Sequence, residues 1–247
     1  VSERCYTPEA AQVGQTLWLD PEEAHHLIRV RRARVGQPLE VFDGQGLGFR
    51  AVLTNLSAKL AEVELLEALP PRRAPLRITL YVAPPKGDRL EWLVEKTTEL
   101  GVERLVPLLT ERTVVSPRET RLDRLRKRII ESAKQCGRFD LMAIDEPMPL
   151  DRLLAAPPQL GSFCFAAHPG GSHLAAIGHL APGQAASILI GPEGGLSDAE
   201  IQQVNDAGWL PIGLGPIILR IETAAIAAVA GLLARVDYDH LPPDRSS

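Results

Sequence analysis

The chain has 247 residues, 45% of them hydrophobic, enough to bury a real core and long enough for one small and one medium domain. Its formal net charge of -4 excludes binding a polyanion through the field of the whole molecule, so any nucleic-acid surface has to be a local patch. The three cysteines, Cys5, Cys136 and Cys164, are odd in number and too widely spaced for a CxxC metal knuckle; with no long apolar run, and with Glu3 and Arg4 where a secretory signal needs an apolar core, the expectation is a soluble cytoplasmic protein with structural thiols.

Up to about residue 69 the pattern is one of short strands and turns. Leu17 to Leu19, Pro38 to Phe42, Phe49 to Leu56 and Ala61 to Leu66 read as strands by partial alternation of apolar and polar residues. One helix is expected from Pro21 to about Val30, because Asp20 can cap it and Pro21 suits its first position. The glycine-rich run Asp43 to Gly48 has no helix after it, so it reads as a hairpin turn and not as a phosphate loop. This part is expected to be a small β-barrel. Pro70, Pro71 and Pro75 remove backbone donors and mark a boundary, giving domains 1–71 and 72–247.

Beyond the boundary strands alternate with helices. Predicted strands run from Leu76 to Ala83, Arg104 to Leu109, Phe163 to Ala167, Ser187 to Ile190 and Leu210 to Leu214. Predicted helices run from Arg89 to Leu100, Glu119 to Cys136, Ser197 to Asp206 and about Thr223 to Val236. Asp88 with Glu91, and Ser197 with Glu200, have capping-box spacing, while Gly101 and Gly208 are natural stops. Such alternation implies an α/β domain with a parallel sheet and helices on both faces, whose ligands bind beyond the carboxyl ends of the strands.

Two loops of this domain carry candidate chemistry. The strand ending at Ile190 runs into Gly191-Pro192-Glu193-Gly194-Gly195-Leu196 and then a capped helix, and its glycines allow a ligand to touch the backbone. A tight turn would use the same residues; Glu193, with no Lys after it, argues against a phosphate and suits a neutral or cationic ligand. The second loop, Gly213 to Thr223, offers the apolar run Ile217, Ile218 and Leu219 for a flat ring, followed by Arg220 and Glu222 near a helix N-terminus. A hydrophobic crossing segment with two solvated charges fits that spacing equally well. The following helix, Ala224 to Ala234, is apolar all round and must be buried in a core or a subunit contact.

Taken together, Gly191 to Ser197, then Leu214-Gly215-Pro216 and Leu219 to Ala224, resemble the ribosomal RNA small-subunit methyltransferase E family of the SPOUT superfamily. Lys86-Gly87-Asp88-Arg89, Glu95 to Val102 and Gln135-Cys136-Gly137-Arg138 are similar to further family segments. Arg4-Cys5-Tyr6, His25 to Val30 and Val41 to Gly44 resemble its PUA-like RNA-binding domain. The resemblance implies a deep trefoil knot in the C-terminal domain and homodimers that complete each site. It also implies S-adenosylmethionine held by three loops: Ala167 and His168; Ile190, Gly191, Pro192, Glu193, Gly194 and Gly195; and Leu214, Gly215, Ile218, Leu219 and Arg220. The implied reaction is methylation of N3 of a uridine in the decoding region of 16S ribosomal RNA, in the 30S subunit or an assembly intermediate. Three positions depart from the family pattern: Ile217 stands where a basic residue is usual, Ile221 where Thr is usual, and Lys134 where an acid is usual.

N3 of uracil carries a proton at neutral pH, so the reaction needs position, dryness and help with deprotonation. Glu222 is the candidate base or orienting group, Arg220 the candidate stabiliser of charge on the uracil carbonyls, and Glu193 an alternative for either role. Arg29, Arg31, Arg32 and Arg34 are candidate RNA contacts on the first domain, with Lys86, Arg89 and Arg138 holding backbone; a solvated, locally paired surface is the competing reading for the arginine cluster. Arg121, Arg124 and Arg128 share one helical face, a pattern that usually marks a solvent side. His168, His173 and His179 lack acidic companions, and no metal is expected. Competing functions are an RNA-binding or ribosome-assembly protein that keeps the fold without chemistry, a SPOUT methyltransferase acting on another RNA, and a nucleotide-phosphate enzyme, against which Glu193 speaks.

Overall fold

The computed structural model describes residues 3–9, 12–57, 59–114, 119–155 and 162–237. They form two compact units, Val1–Arg73 with Ile130–Leu141, and Ala74–Ile129 with Met142–Ser247. Against the continuous cut read after residue 71, the first unit thus takes in a segment from far down the chain.

The first unit holds β1 (Glu3–Tyr6), β2 (Thr16–Trp18), α1 (Pro21–His25), β3 (Pro38–Phe42), β4 (Gly48–Leu56) and β5 (Ala61–Leu69). Its sheet has the order β1-β3-β4-β5-β2, with β1 parallel to β3 and the other pairs antiparallel. Alternate residues Val63 and Leu65 of β5, with Leu39, Val41, Ala51 and Leu53 across from them, are fully or almost fully buried, so one face of the sheet makes the core. Asp20 caps α1 as expected, its carboxylate accepting the Glu22 amide at 2.8 Å. The expected continuous helix to Val30 changes character, however. After His25 the chain runs as a π-helix from His26 to Arg31 and stops at Arg32, which has φ 51°. Wider turns of this kind are costly and concentrate at functional segments.

A second core of this unit is built on the distant segment. Phe139 and Ala133 pack with Phe42 and Tyr6, and Arg72 lies 4.9 Å over the Phe139 ring. Arg4 bonds Glu40 at 2.6 Å and the Lys134 carbonyl at 2.9 Å. Lys134 itself reaches both oxygens of Glu23 at 2.8 Å.

The second unit contains β6 (Arg77–Val82), α2 (Arg89–Glu99), β7 (Arg104–Leu109), α3 (Glu119–Cys136, whose last turns belong to the first unit), β8 (Ala143–Ile144), β9 (Met148–Pro149), α4 (Leu150–Ala155), β10 (Phe163–His173), β11 (Ala185–Ile190), α5 (Asp198–Asp206), β12 (Leu210–Gly213) and α6 (Ile221–Leu233). Its seven strands are parallel, in the order β12-β10-β11-β6-β7-β8, with β9 also on β7. One face of the sheet, through Cys164, Ala166, Leu189, Tyr81 and Leu108, is covered by α4 and α5. By strand alternation Ile78, Leu80, Ile188 and Ile190 point the other way and are also buried, and α6 lies against the same two strands, β6 and β11.

The Ser197 and Glu200 capping box is present, and Gly101 and Gly208 take positive φ just past their helices. The capping box expected at Asp88 is not formed. Asp88 is in the right-handed helical region with no side-chain cap bond, and Glu91 instead pairs with Arg124 at 3.0 Å. An ion pair across two helices has taken the carboxylate that the local pattern assigned to the cap. Two members of the expected Arg121, Arg124 and Arg128 face thus meet carboxylates of α2, Arg128 lying 3.6 Å from Glu95, whereas the Arg121 side chain lies outside the described residues.

Candidate cofactor site

In the second unit β12, β10 and β11 are neighbours, so their carboxyl ends lie side by side. The chain after β11 and after β12 opens into a loop, and these two loops with the irregular middle of β10 enclose a cavity of about 380 Å³, a usual size for a small-molecule pocket. From β10 come Ala167, His168 and Pro169, where the pairing with β12 shifts register. From β11 come Ile190 and the run Gly191 to Leu196; from β12 come Leu214 to Leu219, with Ile221 and Ala224 of α6. Gly195 has φ +68° and Gly215 φ +129°, and a Cβ at either would meet open space. Their glycines therefore answer the backbone conformation and not crowding, because these angles strain any side-chain-bearing residue.

The candidates for cofactor binding converge here with one exception. Arg220 is exposed at the N-cap of α6 and does not line the cavity. Among the candidate catalytic residues, Glu193 lines the cavity and is exposed. Glu222 is buried, its side chain 8% exposed, and its Oε2 has no hydrogen-bond partner. Between the two carboxylates stands Arg89, first residue of α2, 3.8 Å from Glu193 and 3.7 Å from Glu222, while its Nε donates to the Lys86 carbonyl at 3.2 Å. Arg89, expected on the RNA backbone, thus stands between two carboxylates that no local spacing links to it, since the three residues lie on separate segments. Nor did any local pattern point to Arg112, which donates to the Gly194 carbonyl at 2.8 Å.

Of the candidate RNA contacts, Arg29, Arg32, Arg34 and Lys86 are exposed. Arg31 is exposed too but its Nε bonds Glu3 at 2.8 Å. Arg138 is buried and held by Asp140 at 2.6 Å, so its guanidinium is spent inside the first unit. Among the described residues no three His, Cys, Asp or Glu side chains group as a metal site, and no helix is long and apolar enough to cross a membrane.

A family model described as RNA methyltransferase domain matches residues 72–233, and one described as RNA methyltransferase PUA domain matches residues 19–66. Ribosomal RNA small subunit methyltransferase E of Synechocystis sp. is 34% identical over 237 residues, covering 91% of this chain and 75% of that protein. This chain belongs to the ribosomal RNA small subunit methyltransferase E family. Within the methyltransferase E family, the crystal structure from Neisseria gonorrhoeae, bound to S-adenosyl methionine, aligns with a TM-score of 0.87 at 33% identity, covering 95% of this chain and 98% of that one. A Legionella pneumophila structure in complex with the bound cofactor SAM aligns with a TM-score of 0.86 at 33% identity, over 96% and 98% of the two chains.

The three departures from the methyltransferase E pattern now have places. Ile217 stands 76% exposed at the cavity, Ile221 is buried in its wall, and Lys134 pairs with Glu23 within the first unit.

Proposed function

We propose that this protein uses S-adenosylmethionine to methylate N3 of a uridine in 16S ribosomal RNA, working on the 30S subunit or an assembly intermediate, as a homodimer in the cytoplasm. The observation that carries the reading is the cavity built where three neighbouring strands, β10, β11 and β12, meet the loops after β11 and β12, apolar over most of its wall and lined by one carboxylate, Glu193. That donor set fits S-adenosylmethionine: Ile190, Leu214, Ile218 and Leu219 suit a flat ring, and Glu193 suits a cationic ligand. When bound there, the cofactor supplies an electrophilic methyl group.

The chain's own residues do the rest. A buried polar atom without a partner costs about 1–3 kcal/mol, and more on a charged group, and Glu222 Oε2 is such an atom. A donor arriving with the substrate relieves that cost, so we assign Glu222 to accept the N3 proton of the flipped uracil. Arg89, and not Arg220, is the cation beside Glu222, and it takes the role of balancing the negative charge that develops on the uracil carbonyls. Arg29, Arg32 and Arg34 on the first unit are assigned to phosphate contacts. Homodimer formation is supported by the outward side of α6, where Thr223 and Ala230 are exposed small residues and Ile226 and Ala227 are only half-buried. The deep knot expected of the C-terminal domain forms part of the same proposal.

The test is methyl transfer from labelled S-adenosylmethionine to small-subunit RNA, with the product mapped by mass spectrometry. The expected product is 3-methyluridine, and Glu222→Gln lowers kcat by roughly a hundred-fold or more with little change in cofactor affinity. Methylation of another atom overturns the N3 assignment, and full activity of Glu222→Gln removes Glu222 as the base.

A further inference from the structure

The loop from Gly191 to Leu196 has little to hold it. Among its own backbone groups the Gly195 amide bonds the Pro192 carbonyl at 2.8 Å, closing one turn. An outside hold comes from the segment just after β7. Arg112 Nη1 donates to the Gly194 carbonyl at 2.8 Å and lies 3.5 Å from that of Leu196, and its Cδ would stand 3.4 Å from a Cβ at Gly194.

Surface arginines are usually too mobile for such a bond to mean much, because the long side chain loses entropy on being fixed. Here the base of the side chain is fixed on both sides. The preceding amide, of Glu111, donates to Glu200 Oε1 at 2.8 Å. On the other side, Thr113 Oγ1 accepts the Thr110 amide at 2.9 Å, shares a hydroxyl bond with Thr110 at 2.9 Å, and the Thr113 amide bonds the Thr110 carbonyl. Glu200 is also the carboxylate whose Oε2 takes the Ser197 amide at 2.8 Å in the capping box of α5. One buried side chain therefore ties the Arg112 turn to the helix that the loop enters, while Arg112 ties the same turn to the middle of the loop.

We infer that Arg112 is a positioning residue for the cofactor loop, clasping Gly194 so that residues 191–196 are set in their binding shape before the cofactor arrives. This rests on the reading that the cavity takes S-adenosylmethionine. A loop set in advance does not have to be ordered at binding, so the clasp raises affinity without touching the ligand. Its loss is felt in cofactor KM and not in kcat, which separates it from Glu222 and Arg89.

The experiment uses the full chain as wild type, Arg112→Ala and Arg112→Lys. Calorimetry with S-adenosylmethionine is paired with hydrogen exchange across residues 190–197 in cofactor-free protein. We expect Arg112→Ala to bind roughly ten-fold more weakly, with cofactor KM rising in step, kcat near wild type and the melting temperature unchanged. Exchange at Gly195 quickens, and Arg112→Lys, which keeps a donor of similar reach, recovers part of both effects. Unchanged exchange in Arg112→Ala overturns the clasp, and so does quicker exchange with wild-type affinity. If wild type itself fails to bind, the cofactor reading falls instead, and the exchange arm still decides whether Arg112 holds the loop.

Discussion

Removing Arg29, Arg32 and Arg34 together tests whether the first unit grips RNA. All three are exposed, and among the described residues no carboxylate pairs with any of them, whereas Arg31 is already engaged by Glu3 at 2.8 Å. A cation that neutralises one phosphate releases condensed counterions, steepening the fall of log K with log salt by about 0.7 for single strands. Three such contacts amount to a slope of about 2, so between ~50 and ~200 mM salt the wild type should lose roughly 16-fold more affinity than the triple alanine variant. The assay is fluorescence anisotropy of a labelled small-subunit RNA fragment over a salt series. Arg31→Ala alone is the internal comparison: because its guanidinium must leave Glu3 to reach a phosphate, it should change the slope by clearly less than a third of the triple effect. An unchanged slope in the triple variant, or an Arg31→Ala effect as large as the triple one, would refute the assignment of this surface.

Two further outcomes concern a buried ion pair and the three thiols. Lys134→Met leaves Glu23 buried beside Cys5 without its cation and should cost about 3 kcal/mol in urea unfolding, whereas Glu23→Gln with Lys134→Met should recover most of it, since removing both charges leaves none unpaired; equal losses in the single and double variants would show that the pair contributes nothing specific. Burial, reinforced by Glu23, pushes the Cys5 thiol up, and burial does the same for Cys164, while Cys136 is exposed, so a thiol reagent at mild alkaline pH should label Cys136 alone in the native protein and all three cysteines after denaturation; rapid native labelling of Cys5 would contradict the packing.

What the sequence revealed was governed by local rules. The loops at Gly191 to Gly195 and Leu214 to Leu219 stood out because strand, glycines and helix follow one another within a few residues, and the structure closes both on one cavity. Capping at Ser197 was legible for the same reason. Asp88 shows the limit of such reading: its box has the right letters, yet Glu91 is taken by Arg124, a partner no local pattern names. The Arg89 bridge and the Arg112 clasp were hidden likewise, being bonds between segments brought together only by the parallel sheet. Nor does composition reveal the π-helix at His26 to Arg31, since its letters suit an ordinary amphipathic helix.

The borrowed segment Ile130–Leu141 bears on how the chain is made. Synthesis proceeds from the N-terminus, so strands β1 to β5 leave the ribosome long before Phe139 does. Until then Phe42 lacks its ring partner, Gly48 faces the vacant place where Phe139 will sit, and Arg4 has no carbonyl of residue 134 to bind. The unit whose synthesis begins first therefore cannot finish folding until part of the second has been made. Its completion waits for β6, α2, β7 and most of α3 to appear, and a gene fragment cut at the end of β5 would encode a unit with an open seam along Tyr6 and Phe42.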